Sequence, residues 1–540
     1  MTASAAVVES RPGNAGAPSG PLERRGRRRP TTRPWGLLGA SVVVALVLIM
    51  PLAFLLIEAH GVGWSELVHD IVRPLTATLL WNTVRLTVVV TVLCAIIGVG
   101  AAWCTERTDL PGRRLWAVVV VLPVAIPDFV VAFGWSSLST WMQGFRGAVV
   151  VLTLAVYPLV YLPVAASLRG ADPGQEEVAR SLGVGRLRTF WTITLGQARV
   201  AILGGCLLVA LVLLAEYGAF EILGYRTFTT EIFTEFNSFN VSSACALSLV
   251  LIVLSFVVLG GDAAARGTAP VSRSGSLAQR MATPARLGRA TVPVMTGFTV
   301  LVIASVGVPI GSCVYWMVHG GHVPFTGESL LAAASHTAVY SGSAAALATA
   351  MALPVALLSI RHANHGSRLL ERSTYIVLAV PGLVVALALS YFAEHYAGGH
   401  FYQSAPLLVM AYAIVFFPLA LVCVRASVSQ APASFEEVGR SLGLRRSAVL
   451  WRVTLPLVAP GLVAGFCLVF LSAVTELTAT LLLVPTGVQT LATQFWAYQQ
   501  NLAYAQAAPF ALAMIVIAGV PSVVLERWFN RLPSRSAIAP

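Results

Sequence analysis

Apolar residues run along this chain in blocks of about twenty, separated by short polar stretches. A helix of that length crosses the hydrocarbon core of a bilayer. Strands of a membrane barrel would be shorter and would change face at every residue. Twelve blocks can be marked. They cover 35–58, 83–104, 116–138, 148–168, 200–223 and 243–261, then 293–317, 337–360, 374–393, 405–426, 460–484 and 506–525. Pro and Gly interrupt several, as membrane helices tolerate. The pattern predicts an all-α integral membrane protein of about twelve spans. Residues 1–34 carry RRGRRRP at 24–30 and read as a basic, disordered tail. The first apolar block is too long for a signal-peptide core and has no clear A-x-A site, so it reads as a retained span. Residues 262–292 read as a polar linker and 527–540 as a second tail.

Composition sharpens this. The chain is 57% hydrophobic and 11% charged, with mean hydropathy +0.80. Soluble proteins carry about 25% charged residues, so this chain has too little polar surface to cover itself in water. All 35 basic residues are Arg. Without Lys the chain cannot carry a standard phosphate-binding P-loop, nor run Schiff-base chemistry. Its seven Cys, 94, 104, 206, 245, 313, 423 and 467, show no CxxC or zinc spacing and read as small apolar residues of helices.

The Arg residues set an orientation. With the N-terminus inside, 31 of the 35 fall in 1–34, 105–115, 169–199, 262–292, 361–373, 425–459 and 526–540. Only Arg73, Arg85, Arg146 and Arg226 fall toward the outside. Such a bias places both termini in the cytoplasm.

The chain also repeats itself. EEVARSLGVGRLRTFWTITL at 176–195 and EEVGRSLGLRRSAVLWRVTL at 436–455 agree at eleven of twenty positions. NTVRLTVVV at 82–90 aligns with HTAVYSGSA at 336–344, and AIPDFVVAF at 125–133 with AVPGLVVAL at 379–387. Each half has six blocks, so the halves run parallel. The expected units are 35–261, with its core at about 80–261, and 293–526, with its core at about 335–526. Each charged stretch lies between the fourth and fifth blocks, on the cytoplasmic side.

These stretches read as helix, glycine elbow, helix. Asp172 is a candidate N-cap with Pro173 at the first helical position. Ser434 and Glu437 have capping-box spacing. The first helix runs to Leu182 or Leu442, Gly183 or Gly443 forms the elbow, and a second helix carries Arg186 or Arg446 and Trp191 or Trp451. Two such loops suit a partner with two equivalent docking sites. The alternative is a pair of amphipathic helices resting on lipid headgroups.

Those residues carry a resemblance. Glu436, Glu437, Gly443, Val453, Leu455 and Pro456 resemble the EAA loop of permeases in binding-protein-dependent ABC importers. Glu176, Glu177, Gly183, Ile193 and Leu195 follow the same pattern, with Gly196 where Pro is usual. The likeness covers roughly 80–262 and 335–526. With ELTATLLLVPTGVQTLATQFW at 476–496, it is similar to the fused two-domain permeases of ferric-iron uptake, with thiamine and polyamine permeases as near relatives.

The resemblance implies a duplicated type I ABC importer permease fold in a bacterial cytoplasmic (inner) membrane. It implies two copies of an ATP-binding cassette ATPase subunit and an extracytoplasmic substrate-binding protein as partners. ATP would sit on the partner subunit, and this chain would hold no cofactor and act on no nucleic acid. Glu176, Glu177, Ser181, Gly183 and Arg186, with Glu436, Glu437, Ser441, Gly443 and Arg446, would form the ATPase-coupling loops, the four Glu meeting basic or polar groups of the ATPase. Among other classes, a twelve-span secondary transporter fits the outline but predicts charged relays and no duplicated docking loop.

Three carboxylates fall inside apolar blocks. Glu216 and Glu476 lie 260 residues apart in the fifth and eleventh. A carboxylate in mid-bilayer costs about 2.5–3.5 kcal/mol, so each reads either as lining a translocation path or outer gate, or as a helix-to-helix hydrogen bond. Asp128 follows Pro127 in the third block, where the second half has Gly382, and reads either as lining the path or as sitting at a kinked helix. Seven of nine His (60, 69, 319, 322, 336, 395 and 400) lie toward the outside. EHYAGGHFY at 394–402 is rich in groups that bind iron, yet its spacing matches no closed metal site and reads as a solvated loop.

Overall fold

The computed structural model describes residues 35–171, 174–266, 285–320, 327–362, 364–398 and 401–531. The tail at 1–34, most of the linker, Asp172, Pro173, His322 and His400 lie outside the described residues, as does the last part of the C-terminal tail. Among the described residues the chain is helical throughout. Its only β-type pairing there is a single bridge between Thr108 and Ala285.

Nine helices are long and apolar enough to cross a membrane among the described residues, and two bent pairs raise this to eleven. The first, second, fourth, fifth and sixth spans are Trp35–Val62, Pro74–Arg107, Gly144–Gly170, Phe190–Ala215 and Val241–Ala265. The seventh, eighth, tenth and eleventh are Gly288–His319, Gly327–Arg361, Ala405–Gln430 and Arg446–Val474. The helix Tyr504–Arg531 takes the twelfth place, its apolar part being Tyr504–Gly519.

The third and ninth blocks are not straight spans. Arg113–Ala125 meets Asp128–Ser136 at 90°, and His365–Ala379 meets Gly382–His395 at 102°. Pro127 and Pro381 stand at the corners. Each lacks an N–H and forces its predecessor out of the helical region, so Ile126 (φ −100°, ψ 122°) and Val380 (φ −98°, ψ 113°) are extended. The eleventh span also differs from the expected 460–484. It ends at Val474, and after a break the chain forms a short helix, Thr478–Leu483. The first half does the same, with the span ending at Ala215 and a short helix Gly218–Ile222.

Small residues let the core spans close on one another. Without a hydrophobic drive between helices in lipid, close approach supplies the packing. A Cβ on Gly205 would lie 2.7 Å from Val160 Cα, and one on Gly461 would lie 2.3 Å from Ser427 Cβ. These are the fifth-on-fourth and eleventh-on-tenth contacts. The second span packs on the fourth and fifth, and the eighth on the tenth and eleventh. Each half therefore builds one matching three-helix unit.

The first span of each half crosses over to the other. Trp35–Val62 packs against the eighth and ninth helices, with the Phe54 ring 4.7 Å from Phe392. The seventh span packs on Asp128–Ser136. There Gly134 leaves no room for a Cβ beside Pro309, and Trp135 Nε1–H donates to Ala304 O at 3.2 Å.

Candidate functional site

Two regions assemble the singled-out residues: the twin charged loops and a cavity between the halves.

In the loops, helices Gly174–Ser181 and Ala433–Ser441 come first. The expected capping box at Ser434 does not form. Pro432 is the N-cap, with no side-chain cap hydrogen bond, because its fixed φ of −65° already starts the turn and puts Ser434 inside the helix. The elbows match expectation. Gly183 and Gly443 adopt φ of +81° and +84°, and Val184 N–H and Leu444 N–H reach back to Ala179 O and Gly439 O. This is the glycine-terminated helix end that an L side chain resists. Ser181 and Ser441 donate to their own helices, at Val178 O and Val438 O, both 2.8 Å. The second helices, Arg186–Thr189 and Arg446–Val449, each run into one π-helical turn, Phe190–Thr194 and Leu450–Thr454. The Arg186 side chain lies outside the described part of the molecule. Arg446 lines a cavity of about 480 Å3 with Arg361, His362, Glu436, Glu437 and Arg440. Burial lowers the pKa of His362, with Arg440 and Arg446 adding to the shift and Glu436 opposing it.

The four loop carboxylates do not share one surface. Glu177 and Glu437 are exposed. Glu176 and Glu436 turn toward Arg side chains of the membrane spans. Glu176 is 7% exposed, accepts from Thr194 Oγ1 at 2.9 Å and lies 3.9 Å from Arg107 Nη2. Glu436 accepts from Arg361 Nε at 3.1 Å. These Arg residues end the second and eighth spans, and sequence reading passed over them. The available signal was that both halves end that span on Arg, 254 residues apart. Around each elbow, large apolar side chains stay exposed in matched pairs: Val178 and Val438, Leu182 and Leu442, Trp191 and Trp451.

The second region is a cavity of about 290 Å3 lined by both halves. The first half contributes Asp128, Phe129, Val212 and Glu216, and the second contributes Gly382, Val415, Phe416 and Glu476. The sequence-selected carboxylates thus meet in one space, but not as side chains of continuous spans. Glu216 and Glu476 sit at the helix breaks. Glu216 Oε1 accepts Ala219 N–H at 2.7 Å, and Glu476 Oε1 accepts Ala479 N–H at 3.0 Å. Each carboxylate thereby satisfies a free N–H of the short helix that follows. Asp128 is the first residue of its helix, the end at which the helix dipole favours a negative charge. Gly382, its counterpart, faces Glu476: a Cβ there would stand in ordinary contact, 3.6 Å from Glu476 Oε1.

Three of the described His residues near the ends of the spans have partners of their own. His319 stacks on Tyr315, His395 packs against the Tyr391 ring, and His336 Nδ1 pairs with Gln489 O. Among the described residues no three His, Cys, Asp or Glu side chains gather to hold a metal ion.

Known proteins resemble this chain in sequence. The family model for the binding-protein-dependent transport system inner membrane component matches twice, at 94–264 and 347–537. The chain is 36% identical to the Fe(3+)-transport system permease protein FbpB 2 of Haemophilus influenzae, over 93% of this chain and 99% of that protein. It is 22% identical to the ferric transport system permease protein FbpB of Actinobacillus pleuropneumoniae, over 83% and 71%. It is also 27% identical to the sulfate transport system permease protein CysT of Escherichia coli, over 41% of this chain and 88% of that protein. Two matching units, two corresponding helical halves and a relative aligned end to end all agree: the chain is a multi-pass inner-membrane protein that belongs to the family of binding-protein-dependent transport permeases, with two permease units fused in one polypeptide.

Proposed function

We propose that this chain is the permease of an ABC importer for ferric iron, working by ATP-driven alternating access. Both charged loops lie in the cytoplasm, each docked in one copy of a separate ATPase subunit. An extracytoplasmic binding protein delivers the ion to the outer mouth. Closure of the ATPase pair draws the two docking helices together and rocks the halves from inward-facing to outward-facing. Glu177 and Glu437 supply charge to the docking surface, the exposed pairs Val178/Val438 and Leu182/Leu442 supply apolar contact, and Gly183 and Gly443 set the elbow. The absence of Lys supports a separate ATPase.

The observation that carries the iron reading is the end-to-end likeness to a permease named for Fe(3+) transport. The cavity supports it. Asp128, Glu216 and Glu476 line the seam, and three carboxylates favour passage of a cation over an oxyanion such as sulfate. A closed coordination shell is not needed for this role, since a transit site has to release its ion.

Two measurements test the reading. Glu437→Arg with Gly443→Val is expected to abolish co-purification of the ATPase while the protein still inserts. Unchanged co-purification refutes the docking role. Deleting the chain is expected to abolish uptake of labelled ferric ion. Retained iron uptake with loss of thiamine uptake refutes the substrate and leaves the architecture standing.

A further inference from the structure

Each half of the protein sets the Arg that ends its second or eighth span against its charged loop, by a hydrogen bond to Glu436 in the second half and by a longer ion pair to Glu176 in the first. Arg107, the last residue of the second span, is 6% exposed. It reaches Glu176 of the loop helix at 3.9 Å and Ala171 O, at the end of the fourth span, at 3.4 Å. Arg361, the last residue of the eighth span, donates to Glu436 at 3.1 Å and to Ala431 O, at the end of the tenth, at 2.8 Å. The partners correspond one to one across the repeat. A guanidinium fork can hold a carboxylate and a carbonyl at once, which a single ammonium does less well.

The position of these contacts matters. The short helices Gly174–Ser181 and Ala433–Ser441 have eight and nine residues and an exposed outer side that mixes charged and apolar side chains. A glycine elbow follows each, and then a π-helical turn. Such an assembly is soft when pushed. The Arg side chains bypass the elbow. They tie the loop helix directly to the second or eighth span, the helix that packs on both the fourth and fifth or the tenth and eleventh. That three-helix unit is closely packed through Gly98, Gly205, Gly461 and Gly465.

We propose that Arg107 and Arg361 are positioning residues that couple the two cytoplasmic loop helices to the membrane core, so that movement of the loops moves the halves. This rests on the docking role proposed above. The arginines do not touch the partner. They stop the docked helix from pivoting on its elbow while the core stays still. Removing them leaves the ATPase bound and working but disconnects its cycle from transport.

The test uses the whole transporter in liposomes, with ATPase and binding protein, and labelled ferric ion as the probe. For R107Q/R361Q the expected result is unchanged co-purification of the ATPase and ATP hydrolysis within about twofold of wild type, with ions imported per ATP falling roughly tenfold. Combining Arg361→Glu with Glu436→Arg on the Arg107 background is expected to recover more transport per ATP than either change alone. An unchanged ratio in R107Q/R361Q overturns the proposal. Loss of the ATPase from that variant also overturns it, because docking itself would then depend on the arginines. Should R107Q/R361Q fail to insert, R361K keeps the charge and removes the fork. A lowered ratio then supports the proposal and a wild-type ratio overturns it. The docking reading fails separately, if Glu437→Arg with Gly443→Val leaves the ATPase bound.

Discussion

Glu476→Gln compared with Glu476→Ala separates two roles of one carboxylate. In the structure Glu476 Oε1 accepts the Ala479 N–H at 3.0 Å and lines the cavity between the halves. A Gln side chain keeps an oxygen for that N–H and removes the charge. An Ala side chain removes both. Leaving a buried N–H without an acceptor costs about 1–3 kcal/mol, whereas exchanging a charged acceptor for a neutral one costs about 1 kcal/mol. The Ala variant should therefore melt at a lower temperature in detergent than the Gln variant. Transport should respond differently. A carboxylate about 6–8 Å from a passing cation contributes roughly 2–3 kcal/mol per unit of ion charge at an effective dielectric constant of about 20. The ion itself favours the ionised form of the acid. Losing even one unit charge's worth of that attraction lowers uptake of labelled ferric ion by at least roughly 30-fold. Glu216→Gln, at the matching break, should act in the same direction. The assay is ion uptake by proteoliposomes holding the complete transporter, with melting measured on the same preparations. Wild-type uptake by E216Q/E476Q would refute a role for these carboxylates in the ion's path and leave them as caps. Equal melting of the Gln and Ala variants would refute the capping geometry.

Other outcomes follow from the packing and the loops. Gly461→Ala would place a Cβ 2.3 Å from Ser427 Cβ and 2.7 Å from Cys423 O, so melting should reveal a loss of about 1–3 kcal/mol. Gly342→Ala has open space around it and should gain about 0.5–1 kcal/mol in the same measurement. Gly443→Ala meets no neighbour either, yet its φ of +84° makes it cost about 1–2 kcal/mol, read as weaker ATPase co-purification. Val438→Cys, exposed in the chain without its partner, should react with a membrane-impermeant thiol reagent in inside-out vesicles made without the ATPase and stay unlabelled in intact cells. Labelling from the cell exterior would overturn the proposed orientation.

Much of this molecule was legible along the chain. The length of the apolar blocks marked where helices cross, and the nine long helices and two bent pairs among the described residues fall on them. The twin charged stretches disclosed the duplication, and Gly183 and Gly443 marked the elbows because only a residue without a Cβ adopts their backbone freely. Pro127 and Pro381 were visible too, but a proline in an apolar block reads as a tolerated kink. The right-angle turns at these positions needed the surrounding helices to accept them. Glu216 and Glu476 were picked out by the cost of a carboxylate in lipid, whereas the helix breaks that they cap were hidden, since the apolar residues continue on either side. Arg107 and Arg361 looked like ordinary cytoplasmic charges. Their pairing with Glu176 and Glu436 spans 69 and 75 residues, and no local pattern records it.

The crossing of the first and seventh spans onto the opposite halves was also decided only in three dimensions. Hydropathy along a chain reports which segments leave water. Lipid tails and the flank of a neighbouring helix are equally apolar, so the same letters serve a helix facing either one. Which helix meets which is settled instead by shape: a glycine where two backbones approach, a ring that fills the gap beside it, and a buried charge that must find its opposite.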